Sequence, residues 1–449
     1  MIADATIKKG YKQTEVGVIP EDWKINILKG VVETNRIPGG IYKEKKLYGS
    51  GIKIIKLGDV FRGDYFEPHN AQRVSLNRNE LLNNQVYVGD IIIALASVKL
   101  EGVGKVMYVN KLDEDTAFDH NVALIRVNKD CNSKYIFYYL KSDKIRDVIR
   151  QLSTQVGTTF LKSNTIKEFN ILLPPTKQEQ NSIATVLSDT DALIERLEKL
   201  IAKKIAIKQG TMQQLLTGKK RLPGFEIKKG YKQTELGVIP EDWDVISYGE
   251  AFNFLSTASY SRADLSDDDV VFYVHYGDIH TTWNYFLDFK KSTLPTIEKI
   301  KVRTYSFIKD GDLIMADASE DYDGIGKSVE VKNITTNKAI SGLHTFLLRG
   351  KEGIFVDGFK GYIHSNRLVK TSMDRLATGL KVYGVSKTNL KTIQIPRPTL
   401  PEQTAIATIL SDMDAEIESL EQKRDKYTML KQGMMQQLLT GRIRIHGTN

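Results

Sequence analysis

The chain is built from two tandem copies of one unit. The segment IKKGYKQTEVGVIPEDW, residues 7–23, recurs at residues 227–243 with one substitution. A second pair of related segments begins at Pro175 and at Pro398, and each copy leads into the sequence QQLLTG. Matches of this length do not arise by chance. They predict a duplicated architecture with a repeat of about 220 residues.

The segments between these matches have diverged, and only short echoes survive. GDIIIALAS from Gly89 is echoed by GDLIMADAS from Gly311, and EGVGK from Glu101 is echoed by DGIGK from Asp323. Short β-branched or apolar runs such as IKIIKLGDV and NVALIRV predict strands, whereas SKYIFYYLKSDKIRDVIRQL predicts a helix. We therefore predict an α+β fold with two similar mixed α/β domains that share a scaffold and differ in surface.

The repeated segments after Pro175 and Pro398 predict two long helices. Thr176 and Glu179 fit a capping box, and apolar residues then recur at alternating steps of four and three, which is a heptad seam. A helix of about 35 residues is roughly 50 Å long and needs a partner for its seam. The simplest partner is the other copy, packed antiparallel as a coiled-coil spacer. The predicted helix–helix residues are Ile183, Leu187, Ile194, Leu197, Ile406, Leu410, Ile417 and Leu420.

The repeat divides the chain into four predicted segments. Residues 1–174 contain the first leader and the first variable domain, and residues 175–222 contain the first spacer helix. Residues 223–397 contain the second leader and the second variable domain. Residues 398–449 contain the second spacer helix and the C-terminal tail.

Composition excludes several classes of protein. With 41% hydrophobic and 27% charged residues, the chain has the composition of a folded protein. It contains no apolar run that approaches the ~18 residues of a membrane span, and its start lacks the apolar core of a signal peptide. The single cysteine, Cys131, excludes a disulfide framework and is typical of a reducing compartment. We therefore expect a cytoplasmic protein with no membrane association.

The sequence contains no recognisable active site. DGIGKS, residues 323–328, resembles the end of a phosphate-binding loop, but Asp321 stands at the upstream position where that loop requires glycine. The seven histidines include no HExxH pair. Charge is unevenly distributed: residues 1–222 contain 35 Lys and Arg against 25 Asp and Glu, and the remainder contains 29 against 30. The basic first half is compatible with nucleic acid or an acidic partner.

The order of these segments resembles that of a known family. A YKQTE(V/L)GVIPEDW leader, a variable domain, a PPTKQEQNSIATVLSDTDALIE helix and QQLLTG, all repeated, resembles the specificity subunit of type I restriction-modification systems over residues 7–445. The resemblance implies two target-recognition domains that each read one half of a bipartite DNA site. It also implies that the two helices fix the spacer between the half-sites and dock partner subunits.

The resemblance further implies a non-catalytic subunit of a methyltransferase/endonuclease complex. Its partners would be double-stranded DNA, two modification subunits that methylate adenine and, through the complex, the restriction subunits. The chain itself would carry no cofactor or metal, and S-adenosylmethionine, ATP and Mg²⁺ would be confined to the partner subunits.

We predict that basic and polar residues in glycine-punctuated loops contact DNA, although each is equally compatible with an ordinary solvent-exposed role. The first-domain candidates are Lys43, Lys45, Lys46, Lys56, Arg62, Lys99, Lys105, Gln155, Thr158, Thr159 and Lys162. The second-domain candidates are Tyr260, Arg262, His280, Thr281, Thr282, Trp283, Lys327, Lys381 and Tyr383. The predicted partner-binding residues, on outward helix faces, are Val186, Leu193, Ile409 and Met429.

Two other functions stay open at the level of sequence. One is a structural coiled-coil adaptor whose variable domains bind proteins, for which the near-neutral second half leaves room. The other is a DNA-modifying enzyme with a fused recognition arm, which the missing catalytic motifs disfavour.

Overall fold

The protein forms two compact units in the computed structural model. The first unit comprises residues 1–198 and 422–449, and the second unit comprises residues 199–421. The residues that the structure describes are 7–152, 159–302, 304–322, 324–335, 337–379 and 382–445.

The first repeat contains twelve strands and six α-helices within these described residues. Its elements are β1 (Tyr11–Thr14), β2 (Gly17–Pro20), β3 (Lys24–Ile27), β4 (Tyr48–Ile55), α1 (Leu57–Arg62), β5 (Gln72–Val74), α2 (Arg78–Asn83), β6 (Ile91–Ala94), β7 (Ala96–Ser97), β8 (Val106–Tyr108), β9 (Thr116–Phe118), β10 (Val122–Ile125), α3 (Ser133–Leu140), α4 (Asp143–Leu152), β11 (Thr159–Phe160), α5 (Ser163–Lys167), β12 (Asn170–Leu173) and α6 (Lys177–Leu216).

The second repeat follows a related order. Its elements are β13 (Tyr231–Thr234), β14 (Gly237–Pro240), β15 (Asp244–Ser247), α7 (Tyr248–Ala251), β16 (Phe252–Leu255), β17 (Val271–Val274), α8 (Tyr276–Thr281), β18 (Phe286–Asp288), β19 (Thr296–Ile297), β20 (Leu313–Ala316), β21 (Ala318–Ser319), β22 (Ser328–Lys332), β23 (Lys338–Ser341), β24 (Thr345–Gly350), α9 (Arg367–Leu376), β25 (Tyr383–Gly384), α10 (Lys387–Thr392), β26 (Gln394–Arg397) and α11 (Leu400–Leu438).

Both units are mixed α/β structures built on small sheets, as predicted. In the first unit, β6 lies between β10 and β8, and β4 lies between β5 and β9. In the second unit, β20 lies inside a five-stranded sheet of order β16-β24-β20-β22-β18, and β17 lies between β19 and β23. The β4–β9 and β17–β23 pairs are both parallel, so the two units share strand polarity as well as order. All four residues of β6 and of β20 are buried, which explains their continuous apolar sequences.

A buried ion pair occupies the same place in both sheets. Arg126 Nε and Nη2 donate to the two carboxylate oxygens of Asp90 at 2.8 and 2.7 Å, and Arg349 contacts Asp312 with the same two distances. Each aspartate also accepts a backbone N–H from the turn that precedes it. The aspartate of the repeated GD sequence is therefore retained because it joins a turn to a neighbouring strand.

The two long helices run antiparallel within each unit. In the first unit, Lys431 forms an ion pair with Asp191, and Leu438 packs in one cluster with Ile183 and Leu187. In the second unit, Lys204 contacts Glu416 at 2.6 Å and Lys208 pairs with Asp414. Within each unit the partner number falls as the residue number rises, which defines the antiparallel direction.

The predicted seam residues differ in burial. Ile183, Leu187, Leu197, Ile406, Leu410 and Ile417 are buried. Ile194 and Leu420 are half-buried.

An arginine clasp joins the leader of the second repeat to the helices of its unit. Arg221 contacts Asp242 at 2.6 Å and Glu402 at 2.8 Å, and its guanidinium lies 5.6 Å from the ring of Trp243. The Trp243 indole donates to Glu402 at 2.8 Å, and the ring is fully buried. Gly218 approaches Pro240 and Trp243 so closely that a Cβ would lie 2.4 Å from the proline ring, which accounts for the glycine of QQLLTG.

The C-terminal tail makes the matching clasp in the first unit. Arg444 contacts Asp22 at 2.9 Å and Glu179 at 2.5 Å, and lies over the fully buried Trp23 at 5.9 Å. Gly441 approaches Trp23 as closely as Gly218 approaches Trp243. Arg444 of the C-terminal tail thus anchors the first leader, as Arg221 of the inter-repeat segment anchors the second leader.

Replacing Arg221 by alanine should lower the free energy of unfolding of the second unit by about 3–5 kcal/mol, because Glu402 would be left buried without its cation. Urea unfolding followed by tryptophan fluorescence measures the loss. Alanine at the exposed Lys219 is the matched control and should change the free energy by less than about 0.5 kcal/mol. A loss for Arg221→Ala as small as that of the control would contradict the clasp.

A half-buried histidine should make the second unit sensitive to acid. Burial lowers the pKa of His364 to about 3, whereas an unfolded histidine has a pKa of about 6.5. Its neutral form therefore contributes stability above pH 6.5, and that contribution is lost as the pH falls toward 3, by about 1.4 kcal/mol per pH unit. The hydrogen-bonded pair Ser328 and His364 is matched in the first unit by Val106 and Leu140.

The double variant Ser328→Val/His364→Leu provides the control for this prediction. It introduces the apolar pair of the first unit and should remove that part of the acid sensitivity. Stability is measured by urea titration at pH 7.5, 6.5 and 5.5 for both proteins. Parallel pH profiles would show that His364 does not titrate on unfolding.

Candidate nucleic-acid interface

An open basic cleft lies on the first unit where β4, β5 and the β9–β10 turn meet. We call it the first-domain cleft. Its lining residues are Tyr42, Lys43, Lys45, Tyr48, Gly49, Lys56, Ala71, Gln72, Arg73, Asp119, His120 and Asn121. Four basic side chains, two amides and two phenols thus face one concave surface, a combination that suits phosphate and base-edge contacts.

Buried Asp119 orients the polar groups of the first-domain cleft. Its carboxylate contacts the His120 ring at 3.2 Å and accepts from the Asn121 side chain at 3.0 Å and the Tyr48 hydroxyl at 3.4 Å. Tyr42 is 67% exposed and packs edge-on against His120, with ring centroids 4.9 Å apart. The aromatic and imidazole groups are therefore held in place before any ligand arrives.

The cleft brings together only three of the eleven first-domain candidates. Lys43 is paired with Glu80 at 2.5 Å, Lys56 lies 4.5 Å from the Tyr48 ring, and Lys45 is exposed. Sequence reasoning did not select Tyr42 or His120.

The other first-domain candidates are scattered. Lys46, Lys99 and Lys162 are exposed, and Arg62 contacts Asp59 at 2.8 Å. Gln155 and Thr158 lie outside the described residues. Thr159 belongs to β11, which pairs with β7.

Exposed apolar residues surround the β7–β11 ribbon. Val98 is 83% exposed and Phe160 is 64% exposed, and Lys99 and Lys162 follow them closely in sequence. Apolar side chains flanked by lysines on a two-stranded ribbon form a second candidate contact surface on this unit.

The second unit carries different chemistry at the position of the first-domain cleft. His275 follows β17 as Lys56 follows β4, and His344 precedes β24 as Asn121 precedes β10. Tyr276 packs between them, with centroids 4.7 Å from His275 and 5.4 Å from His344. Burial lowers the pKa of His275, which favours its neutral form. We call this group the second-domain cluster.

Several second-domain candidates have structural roles. Trp283 is buried in a hydrophobic cluster and donates to Ser292 at 3.0 Å, so it faces the core and not a ligand. Tyr260 packs against another cluster and donates to the Lys301 carbonyl at 3.0 Å. Arg262 contacts Asp278 at 2.5 Å.

The other second-domain candidates lie nearer the surface. Thr281 and Thr282 are exposed, and His280 is half-buried. Tyr383 lies 4.1 Å from the half-exposed ring of Tyr322. Lys381 lies outside the described residues.

The lysines of the repeated GxGK sequence support a short helix in each unit. Lys105 donates to the Phe61 carbonyl near the end of α1 at 3.0 Å, and Lys327 donates to the His280 carbonyl near the end of α8 at 2.9 Å. A cation at a helix C-terminus stabilises the free carbonyls. This shared contact accounts for the presence of the lysine in both copies.

Two of the four predicted partner-binding residues contact the protein core. Val186 and Ile409 are half-buried and pack against the hydrophobic cluster of their own unit. Leu193 is half-buried, whereas Met429 is 71% exposed beside Leu430, which is 50% exposed. Met429 is therefore the member of the set that a partner can reach without rearrangement.

The described residues contain no group of three or more His, Cys, Asp or Glu that could hold a metal ion. Among them, no helix combines the length and the apolar character that a membrane crossing requires.

Comparisons with known proteins give a consistent result. The model of the type I restriction modification DNA specificity domain matches the chain twice, at residues 20–209 and 240–427. The chain is similar to two specificity subunits of type I restriction enzymes from Methanocaldococcus jannaschii. It is 27% identical to the one described as the MjaX subunit over 463 residues, covering 98% of this chain and 97% of the relative. It is 27% identical to the MjaVIII subunit over 334 residues, covering 73% and 74%.

A solved structure shows the same fold. The S subunit of the type I restriction-modification system from M. genitalium matches with a TM-score of 0.54 and 13% identity, covering 93% of this chain and 96% of that one. At 13% sequence identity, this similarity shows a shared fold.

Lysines that support a helix end and lysines that line the first-domain cleft should respond differently to substitution. Lys105→Met and Lys327→Met should each lower the free energy of unfolding by about 1 kcal/mol, because a helix-end contact is lost. Lys45→Met should leave stability unchanged and weaken binding to a duplex by severalfold, because an exposed cation of the first-domain cleft is removed. Urea titration and fluorescence anisotropy test both effects, and a stability loss for Lys45→Met would contradict the distinction.

Proposed function

The chain belongs to the family of type I restriction-modification DNA specificity subunits, and we propose that it selects DNA for such a complex by reading the two halves of a bipartite site with its two variable domains. The observation that carries this proposal is the pair of matched scaffolds with unlike surfaces. The Arg126–Asp90 and Arg349–Asp312 pairs are the same in both units, whereas the first-domain cleft and the second-domain cluster differ in chemistry at the same place in the fold.

In the first domain, lysines would grip phosphates while Tyr42, Gln72, His120 and Asn121 reach base edges. In the second domain, Tyr276 and His344 would serve as the readers, supported by Asp317, which contacts the His344 ring at 3.2 Å. An imidazole ring presents two nitrogens that can hydrogen-bond to a base edge. The two halves of the site would therefore differ in sequence.

The long helices would set the spacing and carry the partners. α6 spans 40 residues and α11 spans 39, each roughly 60 Å long at 1.5 Å per residue. Two modification subunits that methylate adenine would dock on the helix surfaces, with Met429 as one contact, and restriction subunits would join through them. This chain would be non-catalytic and cofactor-free, with S-adenosylmethionine, ATP and Mg²⁺ used by the partners. Such a complex would act on DNA in the cytoplasm.

The competing function is a coiled-coil adaptor whose variable domains bind proteins. The basic character of the first-domain cleft favours DNA, and the fold family favours it for both domains. A selection from random duplexes that returns no sequence motif would favour the adaptor.

The decisive experiment is long-read sequencing of adenine methylation in cells that express the chain with its modification subunit. We expect a split motif with a fixed gap. Tyr42→Ala/His120→Ala should relax one half of the motif only, and His344→Ala should relax the other half only.

Alanine at the exposed Lys29, which lies outside the first-domain cleft and is not a predicted DNA contact, is the matched control and should leave the motif unchanged. A continuous motif, or variants of one domain that relax both halves equally, would contradict the two-domain reading.

A further inference from the structure

A cavity of about 540 Å³ in the first unit has no assigned role. It lies where the start of α4 faces the end of α11, and its walls include Lys141, Ser142, Lys144, Lys431 and Arg442. These residues are distinct from the first-domain cleft.

The second unit makes hydrogen bonds at the same corner. Asn366 immediately precedes α9 as Ser142 immediately precedes α4, and both helices bury matching apolar residues. The buried Asn366 amide donates to the Leu216 carbonyl at 2.5 Å, and its oxygen accepts from the Leu368 amide at 2.9 Å. Gln213 Oε1 also accepts from the Arg367 amide at 3.2 Å.

Ser142 stands in the first unit where Asn366 stands in the second, and its side chain does not make the hydrogen bonds of Asn366. The Ser142 hydroxyl oxygen is buried and has no hydrogen-bond partner among the described residues. Gln436, the counterpart of Gln213, contacts the Asp143 carboxylate at 3.2 Å instead of a helix amide. The start of the ten-residue helix α4 therefore lines the cavity, and the Ser142 hydroxyl does not cap it.

The charge around the cavity is positive. Lys141 and Lys431 are paired with Asp64 and Asp191. Lys144 donates to the Val16 carbonyl at 2.9 Å, and Arg442 is exposed at the rim. Asp143 is the acidic residue that lines the cavity. Burial lowers the pKa of both Lys141 and Lys144, as expected where cations lack full compensation.

We propose that this cavity binds a phosphate group. A phosphate oxygen would accept from the Ser142 hydroxyl and from the first amides of α4, while Lys144 and Arg442 neutralise its charge. Helix N-termini with flanking cations favour anions for this reason. The phosphate comes either from a free phosphate compound or from a DNA backbone, which present the same group to the same donors.

The test compares the melting temperature of the full chain in sodium phosphate and in sodium chloride at equal ionic strength. We expect phosphate at about tenfold excess over its dissociation constant to raise the melting temperature by about 2–4 °C. Ser142→Asn, which introduces the residue of the second unit, should abolish the phosphate effect by filling the corner. Arg442→Met, at the exposed rim, should weaken it without disturbing the fold.

Anisotropy titrations with a duplex distinguish the two sources. If a DNA phosphate occupies the cavity, Ser142→Asn should reduce the slope of log affinity against log salt by about one. If a free phosphate compound occupies it, the slope should not change. A wild-type chain whose melting temperature is equal in the two salts would overturn the proposal, as would a phosphate effect that persists undiminished in both variants.

Discussion

The arginine clasp is the interaction on which each unit depends. Arg221 and Arg444 each join an aspartate of a leader to a glutamate in the first turns of a long helix, above a buried tryptophan. The clasp fixes the leader, the domain and the helix pair as one body. One arginine lies in the inter-repeat segment, whereas the other reaches the first leader and the first long helix from a residue more than 200 positions away in sequence.

The two repeats share the contacts of their scaffold but carry different side chains at their surfaces. Contacts that define the scaffold are repeated atom for atom, as in the Arg126–Asp90 and Arg349–Asp312 pairs. The second-domain cluster and the first-domain cleft occupy one fold position with different side chains. Such a scaffold allows the chemistry of one surface to differ while the repeated ion pairs that join turn and strand stay in place.

Sequence reasoning was strongest where the signal was periodic or repeated. The α+β class, the two long helices and the family followed from the repeat, and the structure and comparisons confirm them. Individual candidates in the variable domains were harder to assign. Trp283 proved to be a core residue, and Lys105 and Lys327 donate to helix-end carbonyls, because a lysine in a loop has the same sequence signature whether it faces solvent or a carbonyl. Tyr42 and His120 were missed, since residues far apart in sequence meet in one cleft only after β4 and β9 pair.

The sequence by itself determined the duplication and the helix seams, because near-identity between copies and a heptad period are visible without coordinates. Only the tertiary structure decided which polar groups face a common cleft, and that Ser142 leaves open a corner that Asn366 closes. The reason is physical: periodicity reports how one element buries its own face, whereas a site is defined by the distances between side chains that different elements contribute.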